Sequence, residues 1–370
     1  MQALNEKEWK AQPIVEIFDK FISGKSKGLN HLNQGDEGVN YIGATNRHNG
    51  VLCVVVDDGA AHKLIQSGNC IGFIKNGDGA AGFAIYKKET FISTSDVIYG
   101  YANWLNLDTG LFFVATQDMI KAKYSHGYKR NQQHLRGDRV MLPVTDYGEP
   151  DYDYMAQYAS TMRGGMLMRY KNYIAGQLSQ LEYKVISALK EKEWNKFRAF
   201  GDSGLFKIAT TNSSIDGIRI IDGGDKDIPY VTRTDADNGI ARFVSDKNLS
   251  YGSDNAGCIT VGLDTQTAFW QPHLFVTGQN IQVITGHQLN AWIAQFLIPL
   301  FKSQMKAKFN WGGNGATLGR MKRLELMLPI DDNGDPDYAY MEQYAKNMML
   351  KKYEQYLAFI DRQSADEDAK

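Results

Sequence analysis

The chain has 370 residues, of which 43% are hydrophobic and 22% are charged, and its formal net charge at pH 7 is −1. The length leaves room for two globular domains, and the net charge argues against a uniformly basic nucleic-acid binder, although local Lys and Arg clusters can still contact phosphates. No apolar run reaches the roughly 18 residues of a membrane-spanning helix, and the acidic N-terminal residues do not form a secretory signal. Cys53, Cys70 and Cys258 lie alone in apolar segments, which predicts buried reduced thiols in a cytoplasmic protein.

The first half of the chain alternates strand-like and turn-like segments. VNYIGATNRHNGV, residues 39–51, combines a short apolar strand with the tight-turn pair Asn49-Gly50. Strand patterns follow at 70–75 and 83–100, and helical spacing of apolar residues follows at 108–123. GDGAAG at 77–82 has the spacing of a dinucleotide-binding loop, but a strand pattern follows it, so we interpret it as a hairpin turn.

The stretch MLPVTDYGEPDYDYMAQYA, residues 141–159, predicts a strand end, a turn and a helix start. Pro143 ends the strand because it cannot donate a ladder hydrogen bond, and Asp151 is a suitable N-cap. Apolar residues then recur every three or four positions from Met155 to Leu189, which predicts one long helix. At about 1.5 Å per residue, that helix would be some 55 Å long.

The same stretch recurs at 327–345 as MLPIDDNGDPDYAYMEQYA, with roughly two-thirds of the positions identical. A self-match of this length indicates internal duplication. IPYVTRTDADNGI at 228–240 likewise repeats residues 39–51, and Asp337 would begin a second helix of about 40 Å. We predict that the two helices pack on each other along their apolar seams, the alternative being that each packs on the body of the protein.

Sequence motifs for catalysis are missing from both halves. The chain has no Walker A loop, no HExxH, no GxSxG elbow and no Asn/Asp-Pro-Pro-Tyr/Phe motif for amino methyl transfer. Asp151 with Glu182 and Lys184 loosely resembles the carboxylates and lysine of a nuclease, but the spacing is wide, and we interpret Glu182 and Lys184 as a solvated helix face. The histidines lack metal-ligand spacing. An enzyme with its own catalytic centre remains an alternative hypothesis.

Positive charge clusters in the loops where the two halves differ, together with polar residues that can contact phosphates or base edges. The candidate DNA-binding residues are Lys25, Lys27, Arg47, His48, Lys129, Arg130, Arg136 and Arg139 in the first half, and Thr232, Arg233, Thr234, Arg242, Arg320, Lys322 and Arg323 in the second. Ordinary surface loops carry the same residue types. Loop chemistry alone therefore leaves open a protein-interaction scaffold that does not bind DNA.

Four features together resemble the DNA-specificity subunits of type I and type IIB restriction-modification systems. They are the duplicated plan, the YVTRTDADNGI segment, FWQPHLF at 269–275, and a strand ending in Leu-Pro before a long helix. The LPxxDxGxPDYxYMEQYA blocks are most similar to the type IIB branch. The resemblance covers both halves, although residues 43–46 and GDGAAGF depart from the family pattern.

The resemblance implies an α/β (α+β) fold with two tandem target recognition domains, each a curved mixed sheet with helices, joined by long helices packed as an antiparallel coiled coil. The implied boundaries are 1–150 for the first recognition domain, 151–190 for a spacer helix, 191–336 for the second recognition domain, 337–363 for a C-terminal spacer helix and 364–370 for a disordered tail.

The resemblance also implies a non-catalytic subunit that binds a bipartite site in double-stranded DNA and recruits a methyltransferase/endonuclease subunit of a type IIB complex. The spacer-helix residues that would contact that subunit are Met155, Tyr158, Met162, Met341, Tyr344 and Met348. No cofactor or metal is expected in this chain, because S-adenosylmethionine and Mg²⁺ would be bound by the partner. A type I specificity subunit and a scaffold that does not bind DNA are the alternatives.

Overall fold

The computed structural model describes residues 2–77, 79–125, 127–309 and 315–368, with side chains described up to residue 362. The chain divides into two compact units, residues 1–170 and 171–370. In the described residues, no helix is both long enough and apolar enough to span a membrane.

The first unit is a mixed α/β structure with short strands. Its elements are β1 (Trp9–Pro13), α1 (Ile14–Ile17), β2 (Lys20–Ser23), β3 (Gln34–Ile42), β4 (Val51–Val55), α2 (Gly59–His62), β5 (Cys70–Ile74), β6 (Ala84–Lys87), β7 (Phe91–Ser93), β8 (Val97–Tyr101), α3 (Leu107–Gln117), α4 (Gln132–Arg136) and β9 (Arg139–Pro143), followed by α5 (Tyr152–Leu178), which continues into the second unit.

These strands form a four-stranded sheet with the order β2-β8-β5-β6, a three-stranded sheet with the order β4-β3-β7, and a ribbon of β1 and β9. In the antiparallel ribbon, Trp9 lies opposite Pro143 and Pro13 lies opposite Arg139. The strands β3 and β7 are parallel. Residues 77–82 join the antiparallel pair β5 and β6, as predicted for a hairpin turn, although Asp78 lies outside the described residues.

Apart from α1 and α2, which have no α-helical counterpart among the described residues, the second unit repeats the elements of the first in the same sequence order. Its elements are β10 (Trp194–Arg198), β11 (Lys207–Thr210), β12 (Ile228–Val231), β13 (Ile240–Val244), β14 (Cys258–Gly262), β15 (Ala268–Gln271), β16 (Val276–Thr277), β17 (Ile281–Thr285), α6 (Ala291–Lys308), α7 (Leu318–Met321), β18 (Glu325–Pro329) and α8 (Tyr338–Asp368).

The strand topology of the second unit repeats that of the first. Its sheets have the orders β11-β17-β14-β15 and β13-β12-β16, and β10 pairs with β18. The parallel pair β12 and β16 corresponds to β3 and β7, and Trp194 lies opposite Pro329 as Trp9 lies opposite Pro143. The predicted duplication is therefore confirmed strand by strand.

Both long helices begin at the predicted aspartates. The Tyr154 N–H donates to Asp151 Oδ1 at 3.0 Å, and Asp337 caps α8 in the same way. Each carboxylate also lies 2.7 Å from a lysine Nζ, that of Lys7 for Asp151 and that of Lys192 for Asp337. Burial raises the pKa of the Asp151 carboxyl, but the hydrogen bonds from Lys7 and from the Tyr154 N–H outweigh it and lower that pKa overall.

The helix α5 is shorter than the predicted helix at 151–190. It ends at Leu178, and most of the following segment is extended along α8 within the second unit. The Asn347 side chain accepts from the Lys184 N–H at 3.2 Å and donates to its carbonyl at 2.7 Å, while Gln343 Nε2 donates to the Glu182 carbonyl at 2.9 Å. Side chains of α8 thus replace backbone hydrogen bonds that a continuing helix would make, and Glu182 and Lys184 do not lie on a helix.

The predicted apolar seam is not buried along α5. After its buried start at Met155, the seam residues Met162, Met166 and Tyr173 are 46%, 55% and 55% exposed. In the second unit, residues 171–188 run antiparallel to α8, and Lys171 Nζ lies 2.8 Å from Asp361 Oδ1.

Two further expectations are corrected or refined. The helix α8 continues to Asp368, so residues 364–368 are helical where a disordered tail was predicted, and residues 369–370 lie outside the described residues. Cys70 and Cys258 are buried as predicted, whereas Cys53 is half-buried. Burial raises the pKa of the Cys70 and Cys258 thiols to about 12.

Candidate nucleic-acid interface

The two predicted Asn-Gly turns adopt the same unusual backbone conformation. Three consecutive residues have left-handed φ values, and only the last of the three is glycine in each unit. The φ values are 48° for His48, 51° for Asn49 and 79° for Gly50, and 49° for Asp237, 56° for Asn238 and 78° for Gly239. Non-glycine residues seldom adopt this region, so two of them in succession mark a turn held by its surroundings.

Equivalent hydrogen bonds fix both turns to the neighbouring sheet. The Asn49 side chain donates to the Tyr86 carbonyl on β6 at 2.9 Å, and the Asn238 side chain donates to the Trp270 carbonyl on β15 at 2.8 Å. At Gly50, a Cβ atom would lie 2.7 Å from Ile85 Cδ1, so a larger residue does not fit there. The two turn frames are therefore alike and fixed to the sheet.

The side chains on these frames differ in charge. Residues 46–49 and 235–238 are exposed in both units. The first turn presents Arg47 and His48, whereas the second turn presents Asp235 and Asp237. Arg233, a predicted DNA-binding residue, forms an ion pair with Asp264. The duplicated scaffold thus carries different side chains at equivalent exposed positions, Asn-Arg-His at 46–48 and Asp-Ala-Asp at 235–237.

The prediction that Arg130 contacts DNA is wrong. Its side chain is fully buried, with Nε 2.8 Å from Asp138 Oδ2. The guanidinium also donates to Gln117 Oε1 at 2.9 Å and to the Gly82 carbonyl at 3.2 Å, and it lies 4.9 Å from the centre of the Phe73 ring. Burial lowers the pKa of this guanidinium, and Asp138 opposes that effect. Arg130 is therefore a core residue of the first unit.

In the second unit, the position equivalent to Arg130 holds an apolar residue, Ala316. The Arg130 N–H donates to the Lys75 carbonyl at 3.1 Å, and the Ala316 N–H makes the equivalent bond to the Leu263 carbonyl at 2.8 Å. Ala316 is fully buried. Sequence reasoning missed the difference because Arg130 lies in a loop rich in basic residues, and its partner Asp138, eight positions later, was the available signal.

Most of the other predicted basic residues are exposed. They are Lys25, Lys27, Arg47, His48, Lys129, Arg136 and Arg139 in the first unit and Arg233, Arg242, Lys322 and Arg323 in the second. Arg320 is half-buried and donates to the Gly315 carbonyl at 3.0 Å. Thr232 and Thr234 are also half-buried, and their hydroxyls accept backbone N–H groups of the turn at 3.4 and 3.3 Å, so these threonines shape the turn.

An aromatic stack lies among the exposed basic residues of the first unit. The Tyr128 ring is 43% exposed and stacks on His134, with the ring centres 4.3 Å apart. His134 Nδ1 lies 2.6 Å from the Lys129 carbonyl. The loop that contains Lys129 and the helix α4 are thus held together, and they present an aromatic face beside positive charge. The corresponding Trp311 and Asn314 lie outside the described residues.

Each unit also has an apolar groove between two helices. The groove between α3 and α5 has a volume of about 600 Å³, and the groove between α6 and α8 has a volume of about 420 Å³. Their walls correspond in position, with Trp9, Phe112, Tyr158 and Met162 in the first and Trp194, Phe296, Tyr344 and Met348 in the second. The equivalent Trp–Phe pairs are stacked at 6.0 and 6.3 Å, so the groove is duplicated with the fold.

The predicted partner-binding residues divide into two groups. Met155 and Met341 are fully buried in the two cores, so the prediction that they contact a partner is wrong. The first turn of each long helix packs on the sheet side, and the exposed face begins one turn later. Tyr158 and Tyr344 are half-buried groove residues, and Met162 and Met348 are 46% and 39% exposed.

Across residues 2–77, 79–125, 127–309 and 315–362, no three His, Cys, Asp or Glu side chains are grouped closely enough to hold a metal ion.

Most of the second half of the chain matches a known family model. Residues 191–356 match the family described as the type I restriction modification DNA specificity domain, and the first half repeats the strand order of this half. The resemblance to restriction-modification specificity subunits that was predicted from the sequence is thereby confirmed.

The chain is also similar to individual proteins. The chain is 26% identical over 343 residues to the specificity subunit S.BcgI of a type II restriction enzyme from Heyndrickxia coagulans, and the match covers 91% of this chain and 94% of that protein. Among solved structures, it is similar to the S subunit of a type I restriction-modification system from M. genitalium, with 11% identity, a TM-score of 0.46 and coverage of 100% and 96% of the two chains.

Proposed function

We propose that this chain is the DNA-binding specificity subunit of a type IIB restriction-modification complex, and that each half recognises one part of a bipartite site in double-stranded DNA. The observation that carries the proposal is the pair of equivalent turn frames with different exposed side chains. A duplicated scaffold with equal side chains would recognise the same sequence twice. A duplicated scaffold with different ones recognises two different half-sites.

Phosphate and base contacts would come from different residues. The exposed lysines and arginines around the turns are suited to phosphate contacts, which position a protein on DNA without selecting a sequence. The side chains at the turn tips are suited to base edges, because they project from a frame that is fixed to the sheet. Binding should therefore weaken with rising salt while the preferred sequence stays the same.

The catalytic steps would belong to a partner that docks in the two apolar grooves. Both grooves have the same aromatic walls, and both include a basic residue, Arg163 in the first and Lys352 in the second. Arg163 is already paired with Asp108, with Nε 3.1 Å from Oδ1, so the feature that both grooves offer a partner is their aromatic wall, which an apolar segment would complement. We assign this segment to a methyltransferase/endonuclease subunit, one copy for each half, which would bind S-adenosylmethionine and Mg²⁺. The present chain would contribute no catalytic residue.

The alternative is a type I complex, which the description of the matching family favours. Purification of the chain from its native host with its bound partners separates the two assemblies. One polypeptide with both methyltransferase and nuclease motifs supports the type IIB assembly, and separate polypeptides for the two activities support type I.

Mapping of methylated bases in the host genome tests the function itself. We expect a bipartite methylated motif that disappears when this chain is deleted and returns when it is supplied again. In parallel, fluorescence anisotropy with a duplex that contains the motif should show an affinity that falls steeply with salt. The logarithm of the binding constant should decrease with the logarithm of the salt concentration, with a slope of about 0.9 for each phosphate contact. If methylation is unchanged and the duplex shows no salt-sensitive binding, the proposal is overturned in favour of a scaffold that does not bind DNA.

Met162→Glu tests the docking of the partner. A charge inside the first groove should reduce capture of the catalytic subunit, because burial of an unpaired carboxylate is costly. Met168→Glu is the matched control, since Met168 lies on the same helix and is 65% exposed but does not line the groove. Equal capture by both variants would show that the partner binds elsewhere.

A further inference from the structure

We propose that the residue immediately before each Asn-Gly pair, His48 in the first turn and Asp237 in the second, determines which base its half of the chain accepts. The inference rests on the proposed function. It goes further by assigning one position in each half, and by assigning to the second turn a base that offers an amino group in the major groove.

The backbone conformation is the same at both positions. His48 and Asp237 have φ values of 48° and 49°, in a region that non-glycine residues seldom adopt. Both residues are exposed, so this conformation does not serve to bury their side chains. The asparagine that follows is bound to the neighbouring sheet in both units. The frame thus holds an exposed side chain at a fixed place, while the identity of that side chain differs.

The second turn presents a carboxylate. A carboxylate only accepts hydrogen bonds and is repelled by phosphates, so Asp237 is unsuited to contact the DNA backbone. In the major groove, the cytosine N4 and adenine N6 amino groups are the base donors that a carboxylate can accept from. Arg242, on the strand β13 that follows the turn, is exposed and carries positive charge, which reduces the repulsion of this unit by DNA, whereas the charge of Arg233 is paired with Asp264.

The first turn has the opposite preference. His48 can donate a ring N–H, and the guanine O6 and N7 atoms are hydrogen-bond acceptors in the major groove; the adjacent Arg47 is of the residue type that contacts these atoms most often. The first half-site should therefore contain guanine at the position that the turn contacts. The second half-site should contain cytosine or adenine at the equivalent position.

An exchange of the turn tips tests the inference directly. In the complex of the full chain with its catalytic partner, residues 46–48 are changed from Asn-Arg-His to Asp-Ala-Asp, which are the residues at 235–237. The Thr45 hydroxyl accepts the backbone N–H of residue 47 at 3.2 Å, and the Thr234 hydroxyl accepts that of residue 236 at 3.3 Å. Because these bonds use the backbone, the exchange of side chains preserves the turn frame. Selection from a pool of randomised duplexes should then change the preferred base in the first half-site only, with about ten-fold discrimination or more.

A single substitution guards against loss of binding by the exchanged chain. Asp237→Asn replaces an acceptor by a group that both donates and accepts, so discrimination at one position of the second half-site should fall by about ten-fold while the first half-site stays unchanged. Asp332→Asn is the control, because Asp332 is an exposed aspartate of the second unit outside the turn. It should leave both half-sites unchanged.

Two failures can be told apart. If the wild-type complex selects no sequence, the proposed function fails. If the wild-type complex selects a bipartite sequence but neither the exchange nor Asp237→Asn alters any base preference, the inference fails while the proposed function stands.

Discussion

The buried pair of Arg130 and Asp138 provides a sharp energetic test, because the second half of the chain has an apolar solution at the same place. Asp138 accepts from Arg130 at 2.8 Å and also from the Tyr124 hydroxyl at 2.6 Å and from Lys123 at 2.9 Å. Asp138→Asn would leave the guanidinium buried without a counter-charge. Loss of one partner of a buried ion pair typically costs about 3–5 kcal/mol, and we expect a loss of that size in the free energy of unfolding.

The double variant Arg130→Ala/Asp138→Leu places the residues of the second unit, Ala316 and Leu324, into the first. Replacement of both partners of a buried ion pair by apolar groups is often close to neutral. We therefore expect the double variant to be destabilised by less than the sum of Arg130→Ala and Asp138→Leu, with a difference of about 2 kcal/mol or more. Some destabilisation should remain, because Gln117 also loses its partner.

Urea unfolding of the full chain, followed by far-UV circular dichroism and tryptophan fluorescence, measures these free energies. Glu325→Gln is the control, since Glu325 lies 2.7 Å from Lys196 in an ion pair whose side chains are 41% and 62% exposed. It should leave the unfolding midpoint unchanged. Additive costs of the two single substitutions, or a loss below about 1 kcal/mol for Asp138→Asn, would refute the reasoning.

Two further predictions concern titratable groups. The lowered pKa of Asp151 means that its pairing with Lys7 stabilises the folded state above the unfolded pKa of about 3.9 and that this contribution is lost at lower pH. The stability difference between wild type and Asp151→Asn should therefore shrink below about pH 4 in denaturation experiments, and a difference that does not change with pH would contradict this. In native protein, peptide mass spectrometry should find that a thiol reagent labels half-buried Cys53 before Cys70 and Cys258, whose thiols have a pKa of about 12. Equal labelling rates would contradict the described burial.

The features predicted correctly from the sequence depend on local chemistry or on repetition. The Asn-Gly pairs predicted turns because few residues accept left-handed backbone, and both turns are present. Asp151 and Asp337 predicted helix starts because a short acceptor side chain caps a helix, and both caps are formed. The duplication predicted equivalent halves, and the sheet orders agree.

The errors arose where distant parts of the chain decide the outcome. Arg130 lies in a basic loop, but Phe73 and Gln117 from earlier elements enclose it, and the sequence does not show that enclosure. Apolar spacing continued beyond Leu178, but side chains of α8 bind the backbone there and favour an extended path. Met155 and Met162 belong to the same apolar row, yet the sheet covers only the first.

The ribbon of β1 and β9 has a consequence for inheritance. Because Trp9 lies opposite Pro143, the chain enters and leaves the first group of sheets through the paired strands β1 and β9. Trp194 lies opposite Pro329, so the paired strands β10 and β18 have the same role in the second unit. Recombination between related genes at these strands would replace everything between them as one cassette. Just outside each of these strand pairs, a lysine Nζ lies 2.7 Å from an aspartate Oδ2, Lys7 from Asp151 and Lys192 from Asp337. A cassette exchanged between the halves would therefore be flanked by the same ion pair. Under the proposed function, transfer of a whole cassette would give the chain a new sequence preference without stepwise change of the scaffold.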